Sequence, residues 1–357
     1  MSGKLNSPKV SIFQKSARRL NSQKVCKARE SARKSTVIVR SFLLLSTCLL
    51  LSGWGFFAHQ KINGLAVFTL PPEMIGFYKK NINYLTEAAV NPDKRRYAVA
   101  DEAPKHYIDL DDYGDSAAVK LPRYWNDAVQ KFGKDSLMLH GIVPWHINRV
   151  YYQLKDAFVV KDPNAILRLS ADLGHYVADA NVPLHTTSNY NGQKSDQIGI
   201  HGFWESRLPE LFFTEYDFFV GKATYQKNVQ LTAWSAIAKA HAALDSVFRF
   251  EKELFKKESG KKFSFETKGK QTQKVVSSVY SKKYHHLLSG MVERQMRASV
   301  KMVGDIWFTA WVDAGQPDLN SIIDYKPSQD EIAKRRQELK EWKQKLFEAR
   351  SHETDSI

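Results

Sequence analysis

Apolar positions along this chain recur at i, i+3 and i+4 and seldom alternate, so helices are expected almost throughout. One stripe runs through Trp54, Phe57, Ala58, Ile62, Leu65, Ala66 and Phe68, and Pro71-Pro72 closes it after Leu70. Pro72 suits the first turn of a second helix reaching about Val90. The same spacing predicts helices over 145–160, 163–180, 229–255 and 275–314. Loops are expected at Asn91-Pro92, at Gly114, over 189–199 and over the basic stretch 256–274. With no long alternating run and no internal repeat, the pattern predicts an all-α, single-domain helical bundle over 54–320. After Pro317 the composition shifts. Residues 328–350 are dense in Lys, Glu, Arg and Gln around a thin stripe of Ile332, Leu339, Trp342 and Leu346. The segment 321–357 therefore reads as a charged surface helix lying lightly on the body, with a partner-binding helix as the alternative.

The formal charge of +15 invites a nucleic-acid or membrane-surface reading until it is located. Residues 1–53 carry 11 Lys/Arg and only Glu30 as an acid, which places +10 in the leader and leaves the body at +5. The basic stretch ends at Arg40, and the apolar run SFLLLSTCLLL follows, closed by Ser52-Gly53. A run this short does not comfortably span a bilayer and fits a secretory signal cleaved before Trp54, an uncleaved anchor being the alternative. The chain is thus expected to be exported to a periplasm, cell surface or medium. Both cysteines, Cys26 and Cys48, lie in the leader, so the processed chain has neither thiol nor disulfide.

The chemistry concentrates in the stretch from His175 to Glu205. His175 and Asp179 are four residues apart, as are His201 and Glu205, and such pairs share a helix face. His185 follows Asn-Val-Pro, where a helix must stop, and can fold back towards both pairs. Chance supplies about one His-x-x-x-Asp/Glu match in a chain of this composition. A third pair, His241 and Asp245, has no companion histidine nearby and reads as an ordinary helix face. Imidazole and carboxylate without thiolate suit zinc as a catalyst.

Taken together with WGFFAH at Trp54–His59 and NPDKRRYAVADEAPKHYID at 91–109, these residues resemble the zinc-dependent phospholipase C and single-strand-specific nuclease superfamily. The resemblance covers Trp54 to about Pro317. It implies that the freed amino group and carbonyl of Trp54 bind zinc, and that an aspartate and a histidine lie upstream of the histidine-rich core. Asp93 and His106 fit best, with Asp101, Asp109 and Asp111 as rivals for the carboxylate. Three zinc ions are implied: one on Asp93, His106, His175 and Asp179; one on Trp54, His59 and the other oxygen of Asp179; one on His185, His201 and Glu205. His140 and His146 fall outside this set and read as helix-start and packing residues, or as support behind the ligands.

The resemblance implies hydrolysis of phosphodiesters with a water acidified between zinc ions and oriented by Asp93. Glu205 as the last ligand resembles the phospholipases, where the nucleases tend to use aspartate. The short Trp54-to-His59 spacing resembles the nucleases, and the missing acid near Trp54 speaks against a choline headgroup. Tyr107 can stack on a base or simply pack, and Lys94, Arg95, Arg96 and Lys105 can attract either substrate. The expectation is a secreted phospholipase C-like enzyme, with a nuclease as first alternative and a non-catalytic zinc-binding helical protein as second. No stable protein partner is implied, and a monomer is expected. N-terminal sequencing of the exported protein is predicted to begin at Trp54; any other start removes the amine that the second zinc position needs.

Overall fold

The computed structural model describes residues 56–268 and 271–349. The leader and Trp54 lie outside the described residues. The first described helix, α1, covers Phe56–Ala66, and a tight 3-10 turn at Val67–Thr69 ends it before Pro71. The expected second helix is two, α2 (Pro72–Lys80) and α3 (Ile82–Ala88). They part at Asn81, whose side-chain amide donates to the Phe77 carbonyl at 2.9 Å in competition with the backbone ladder. Where a loop is expected at Asn91-Pro92, Pro92 instead sits in the first turn of a short helix, α4 (Asn91–Arg95), which carries Asp93.

Two long helices form the centre, α5 (Val143–Val159) and α6 (Pro163–Asp179). Asp162 caps α6 by accepting from the Ala165 N–H at 3.0 Å, and Pro163 occupies its first turn. Every residue from Ser170 to Asp179 is buried, so this end of α6 is wrapped on all sides. The wrapping comes from α1, α3, α5 and α9 (Met291–Asp313). The neighbours also meet α6 through polar links: Tyr78 bonds Ser170 Oγ at 2.9 Å, and the Trp307 indole donates to the Ser170 carbonyl at 3.1 Å.

Close approach of α1 to α6 depends on Gly174. A Cβ there would lie 1.9 Å from Asn63 Oδ1, while Asn63 donates to the carbonyls of Ala171 and Leu85. Asn63 stands one turn after His59 and Gly174 just before His175, so this contact sets the two imidazoles face to face, 4.1 Å apart.

Two further expectations require correction. The stretch 256–274 is not a loop: α7 (Val229–Glu258) continues through its start, and an antiparallel hairpin, β1 (Phe263–Lys268) with β2 (Gln271–Val276), follows. The lysines hide the pattern, since Lys262 is itself buried in an ion pair with Glu251 at 2.8 Å. Nor is 275–314 one helix. Ser277 caps α8 (Ser278–Leu287), and Gly290, with φ of 75°, turns the chain into α9. The described residues are otherwise mostly helical, as expected.

The charged C-terminal helix, α10 (Gln329–Glu341), opens on a capping box of Ser328 and Glu331 and is shorter than its sequence pattern. Beyond it, the Leu346 and Phe347 N–H groups both donate to the Tyr97 carbonyl at 2.9 Å. Arg335 of α10 stacks over Tyr84 at 4.4 Å and reaches Asn164, which fastens α10 to the body.

Gly174→Ala is predicted to cost about 1–3 kcal/mol in thermal or denaturant unfolding, because Asn63 must leave two buried carbonyls. An unchanged midpoint would show that α1 and α6 are not held by this contact.

Candidate metal centre

Five imidazoles and three carboxylates converge between α1, α4, α6 and the segments that follow α4 and α6. His59, His106, His175, Asp179, His185, His201 and Glu205 are all at most 3% exposed, and Asp93 is 9% exposed. His59 comes from α1, Asp93 from α4, and His175 and Asp179 from the buried end of α6. His106 ends a 3-10 turn at Ala103–His106. Asn181 closes α6 by donating to the Val177 carbonyl, and Pro183 begins the 3-10 turn that brings His185 back. His201 sits in the helical turn Ile200–Gly202, which widens into a π-helical turn, Phe203–Arg207, carrying Glu205. Such widened turns recur at functional sites.

The distances define donor cages. His175 Nε2 lies 3.0 Å from His106 Nδ1, 3.3 Å from Asp179 Oδ2 and 3.6 Å from Asp93 Oδ1. His106 Nδ1 lies 3.0 Å from the same Asp179 oxygen and 3.7 Å from the same Asp93 oxygen. A tetrahedral ion with bonds of about 2.0–2.1 Å spaces its ligand atoms by roughly 3.3 Å, so these edges match one. The second group is a triangle: His185 Nε2 to His201 Nε2 is 3.2 Å, His185 Nε2 to Glu205 Oε2 is 3.2 Å, and His201 Nε2 to Glu205 Oε2 is 2.8 Å. Three such donors leave a tetrahedral ion one open position.

His59 stands between the two groups, with Nε2 3.5 Å from Asp179 Oδ1 and 3.3 Å from Glu205 Oε1. Asp179 therefore offers one oxygen to the four-residue cage and the other towards His59. Trp54, expected beside His59, lies outside the described residues. Of the rival carboxylates, Asp111 instead accepts from Thr187 and Ser188 and so orders the loop after His185. Asp101 is exposed. Asp109 joins Asp112 and His140 in a third acid–imidazole group, in which His140 Nδ1 bonds Asp112 Oδ2 at 2.9 Å. Tyr107 is only 7% exposed, its ring and carbonyl tight against Gly141, whose φ is 89°.

The surroundings orient the rings. His175 Nδ1–H donates to the Ala89 carbonyl at 2.9 Å and His185 Nδ1–H to the His106 carbonyl at 2.6 Å, so both turn Nε2 towards the donors. His106 turns Nε2 towards Glu102, 3.8 Å away. Nothing along the chain marks Glu102 as a partner. It is 1% exposed and accepts from Lys105 at 2.6 Å, Arg95 at 3.0 Å and the Tyr176 hydroxyl at 2.5 Å. Burial would raise its carboxyl; Arg95, His106 and Lys105 hold it well below the ordinary range instead. Arg95 also forks onto Asp172 at 3.0 and 3.2 Å. His241, read as ordinary helix surface, bonds the Thr186 hydroxyl at 3.0 Å and braces the turn that presents His185. Its sequence partner Asp245 faces Arg249 instead. Arg96, 3% exposed, comes within 3.8 Å of Asp93.

A cluster so rich in buried carboxylates demands positive charge. Without a metal it draws protons. Burial alone would lower His59, yet the Glu205, Asp179 and Asp93 carboxylates raise it to about 9. Burial, reinforced by Arg96, pushes His106 down to about 4. Burial works to raise Asp179 and Glu205, but the facing imidazoles keep both ionised well below the usual range. These groups could hold metal ions. Compared with known proteins, the chain matches no family model and no curated protein sequence.

A proton on His59 must leave before a cation can take its place. Because His59 is raised, it is protonated at pH 7.5 in the metal-free chain, where its charge stabilises the fold below about pH 6.5 and ceases to do so above about pH 9. Calorimetric titration with zinc at pH 7.5, in two buffers of different ionisation enthalpy, is predicted to show release of about one proton or more per chain. Zero release would mean that His59 takes no part.

Proposed function

We propose that this chain is a secreted, zinc-dependent hydrolase of phosphodiesters, phospholipase C-like in its substrate, with three zinc ions. The observation that carries the reading is the convergence of His106 and His175 on one oxygen of Asp93 and one of Asp179, at 3.0–3.7 Å, the ligand spacing of a tetrahedral zinc site. His185, His201 and Glu205 would hold a second ion, and His59 with Asp179 a third, completed by the amine and carbonyl of Trp54. The resemblance of the ligand set to the phospholipase C and nuclease superfamily supports the same assignment.

Zinc bound there supplies Lewis acidity, lowering the pKa of water and gathering positive charge where a phosphodiester would sit. The chain's own groups do the rest. Asp93, on the short helix α4, orients the attacking water and takes its proton, being the least enclosed of the three carboxylates. Arg96, held beside it, faces the negative charge that builds on the phosphoryl oxygens. His241 keeps the His185 turn in place. Glu205 in the last ligand position favours the phospholipase over the nuclease. Tyr107, buried against Gly141, is placed to pack more than to stack on a base.

The purified, processed chain is predicted to hydrolyse bis(nitrophenyl) phosphate and phospholipid in a chelator-sensitive way. His175→Ala and Asp179→Asn should each lose about a hundredfold or more of that activity. A variant keeping half its rate would contradict the ligand assignment. Preference for single-stranded DNA over phosphatidylcholine and phosphatidylethanolamine by about tenfold would move the reading to the nuclease. Metal bound without turnover of any phosphodiester would leave a non-catalytic zinc protein.

A further inference from the structure

The hairpin leaves one face uncovered. Side chains two apart on a strand share a face, so Phe263 and Phe265 stand side by side, with Lys274 directly across from Phe265. Phe263 is 42% exposed and Phe265 75%. Phe255, near the end of α7, is also 42% exposed. Lys262 joins it to the hairpin, with Nζ 5.1 Å from the centre of the Phe255 ring and 5.6 Å from that of Phe263. Lys274 lies 4.2 Å over the Phe263 ring. Lys252 and Lys256 are exposed, and helical spacing sets them on the Phe255 side of α7. The other face of the hairpin is fastened down. There Glu266 pairs with Arg207, whose Nε also donates to the Val276 carbonyl at 3.1 Å, and Arg207 closes the turn that carries Glu205.

The charge on this face is not neutralised. Four acids lie between Glu251 and Lys283, and each already has a cation. Lys262 takes Glu251, Arg249 takes Glu253, Lys283 takes Glu258 and Arg207 takes Glu266. Among the described residues, no carboxylate pairs with Lys252, Lys256 or Lys274. Exposed phenyl rings and unpaired ammonium groups therefore share one surface.

We propose that this face docks on an anionic lipid bilayer. Phe263 and Phe265 enter the boundary between headgroups and acyl chains, while Lys252, Lys256 and Lys274 face the lipid phosphates. A phenyl ring has no polar group to satisfy there. Ammonium point charges answer a diffuse negative surface, where forked guanidiniums would suit single phosphates. A second copy of the chain would bring like charge to the same face. Through Arg207 the docked hairpin is joined to the turn that carries Glu205, yet the proposal does not rest on the donor cluster holding zinc.

The test is co-sedimentation of the processed chain, which lacks the basic leader and keeps every element described above. The vesicles are phosphatidylcholine alone, or phosphatidylcholine with about 30% phosphatidylglycerol. Retention is expected on the anionic vesicles only, and is expected to fall as salt rises. Phe263→Ser/Phe265→Ser and Lys252→Gln/Lys256→Gln/Lys274→Gln should each weaken it by about tenfold or more. Lys79→Gln/Lys120→Gln/Lys134→Gln removes as much charge from exposed sites elsewhere and should weaken it by less than about twofold. A second readout needs no loss of a phenylalanine. The processed chain has no cysteine, so Thr267→Cys takes a single environment-sensitive fluorophore, whose emission should shift to the blue on anionic vesicles. The same label on Lys134→Cys should not respond. Retention that is absent, equal on both vesicles, or equally weakened by the distant lysine triple would overturn the proposal. So would tighter binding to a single-stranded oligodeoxynucleotide that the same variants abolish, which would make this a nucleic-acid surface.

Discussion

Three carboxylates and five imidazoles share one buried volume, and their mutual electrostatics constrains everything around them. Carboxylates taken out of water are tolerable only where cations or hydrogen-bond donors replace the solvent. Here most of the donors that could have done so are engaged elsewhere, Arg96 beside Asp93 being the exception. His175 and His185 give their Nδ1 protons to carbonyls, and Arg95 and Lys105 are spent on Glu102 and Asp172. What remains facing the centre are ring nitrogens and carboxylate oxygens about a metal's ligand spacing apart. The cluster therefore asks for charge from outside the chain, as protons or as metal ions, and the two compete for the same lone pairs.

That demand accounts for the placement of α6. The two donors on this helix point inwards from a buried element, and α6 is enclosed along the whole stretch that carries them. Gly174 lets α1 come close enough to set His59 over His175, and the Asn63 amide fills the space that a side chain would otherwise take. Around this rigid pair, the remaining donors arrive on short turns, among them the turn that carries His185, which Thr186 and His241 brace. Rigidity at the centre and support at the periphery are what a preorganised site requires.

Much of this was legible in the residues. Helical spacing showed α5, α6 and α7 to within a few residues, and i, i+4 pairs identified the donors on α6 and at His201 and Glu205. Three kinds of feature were not legible. Breaks set by a single side chain, such as Asn81 bonding back to Phe77, look like continuous helix in a hydrophobic pattern. The hairpin was masked because lysines interrupt its alternation, and the burial of Lys262 beside Glu251 is a tertiary matter. The supporting partners were hidden for the same reason: Glu102 and His241 act across the fold, and nothing in their neighbourhood along the chain distinguishes them from surface charges.

The central claim is that these lone pairs enclose divalent cations. Anomalous diffraction at the zinc edge, from crystals of the zinc-loaded processed chain, tests it most directly. The account predicts a peak bonded to Asp93, His106, His175 and Asp179 at about 2.0–2.2 Å, and a second bonded to His185, His201 and Glu205. Crystals grown with zinc in excess that show no anomalous peak inside the cluster, with the donors instead drawn into hydrogen bonds with one another, would contradict it.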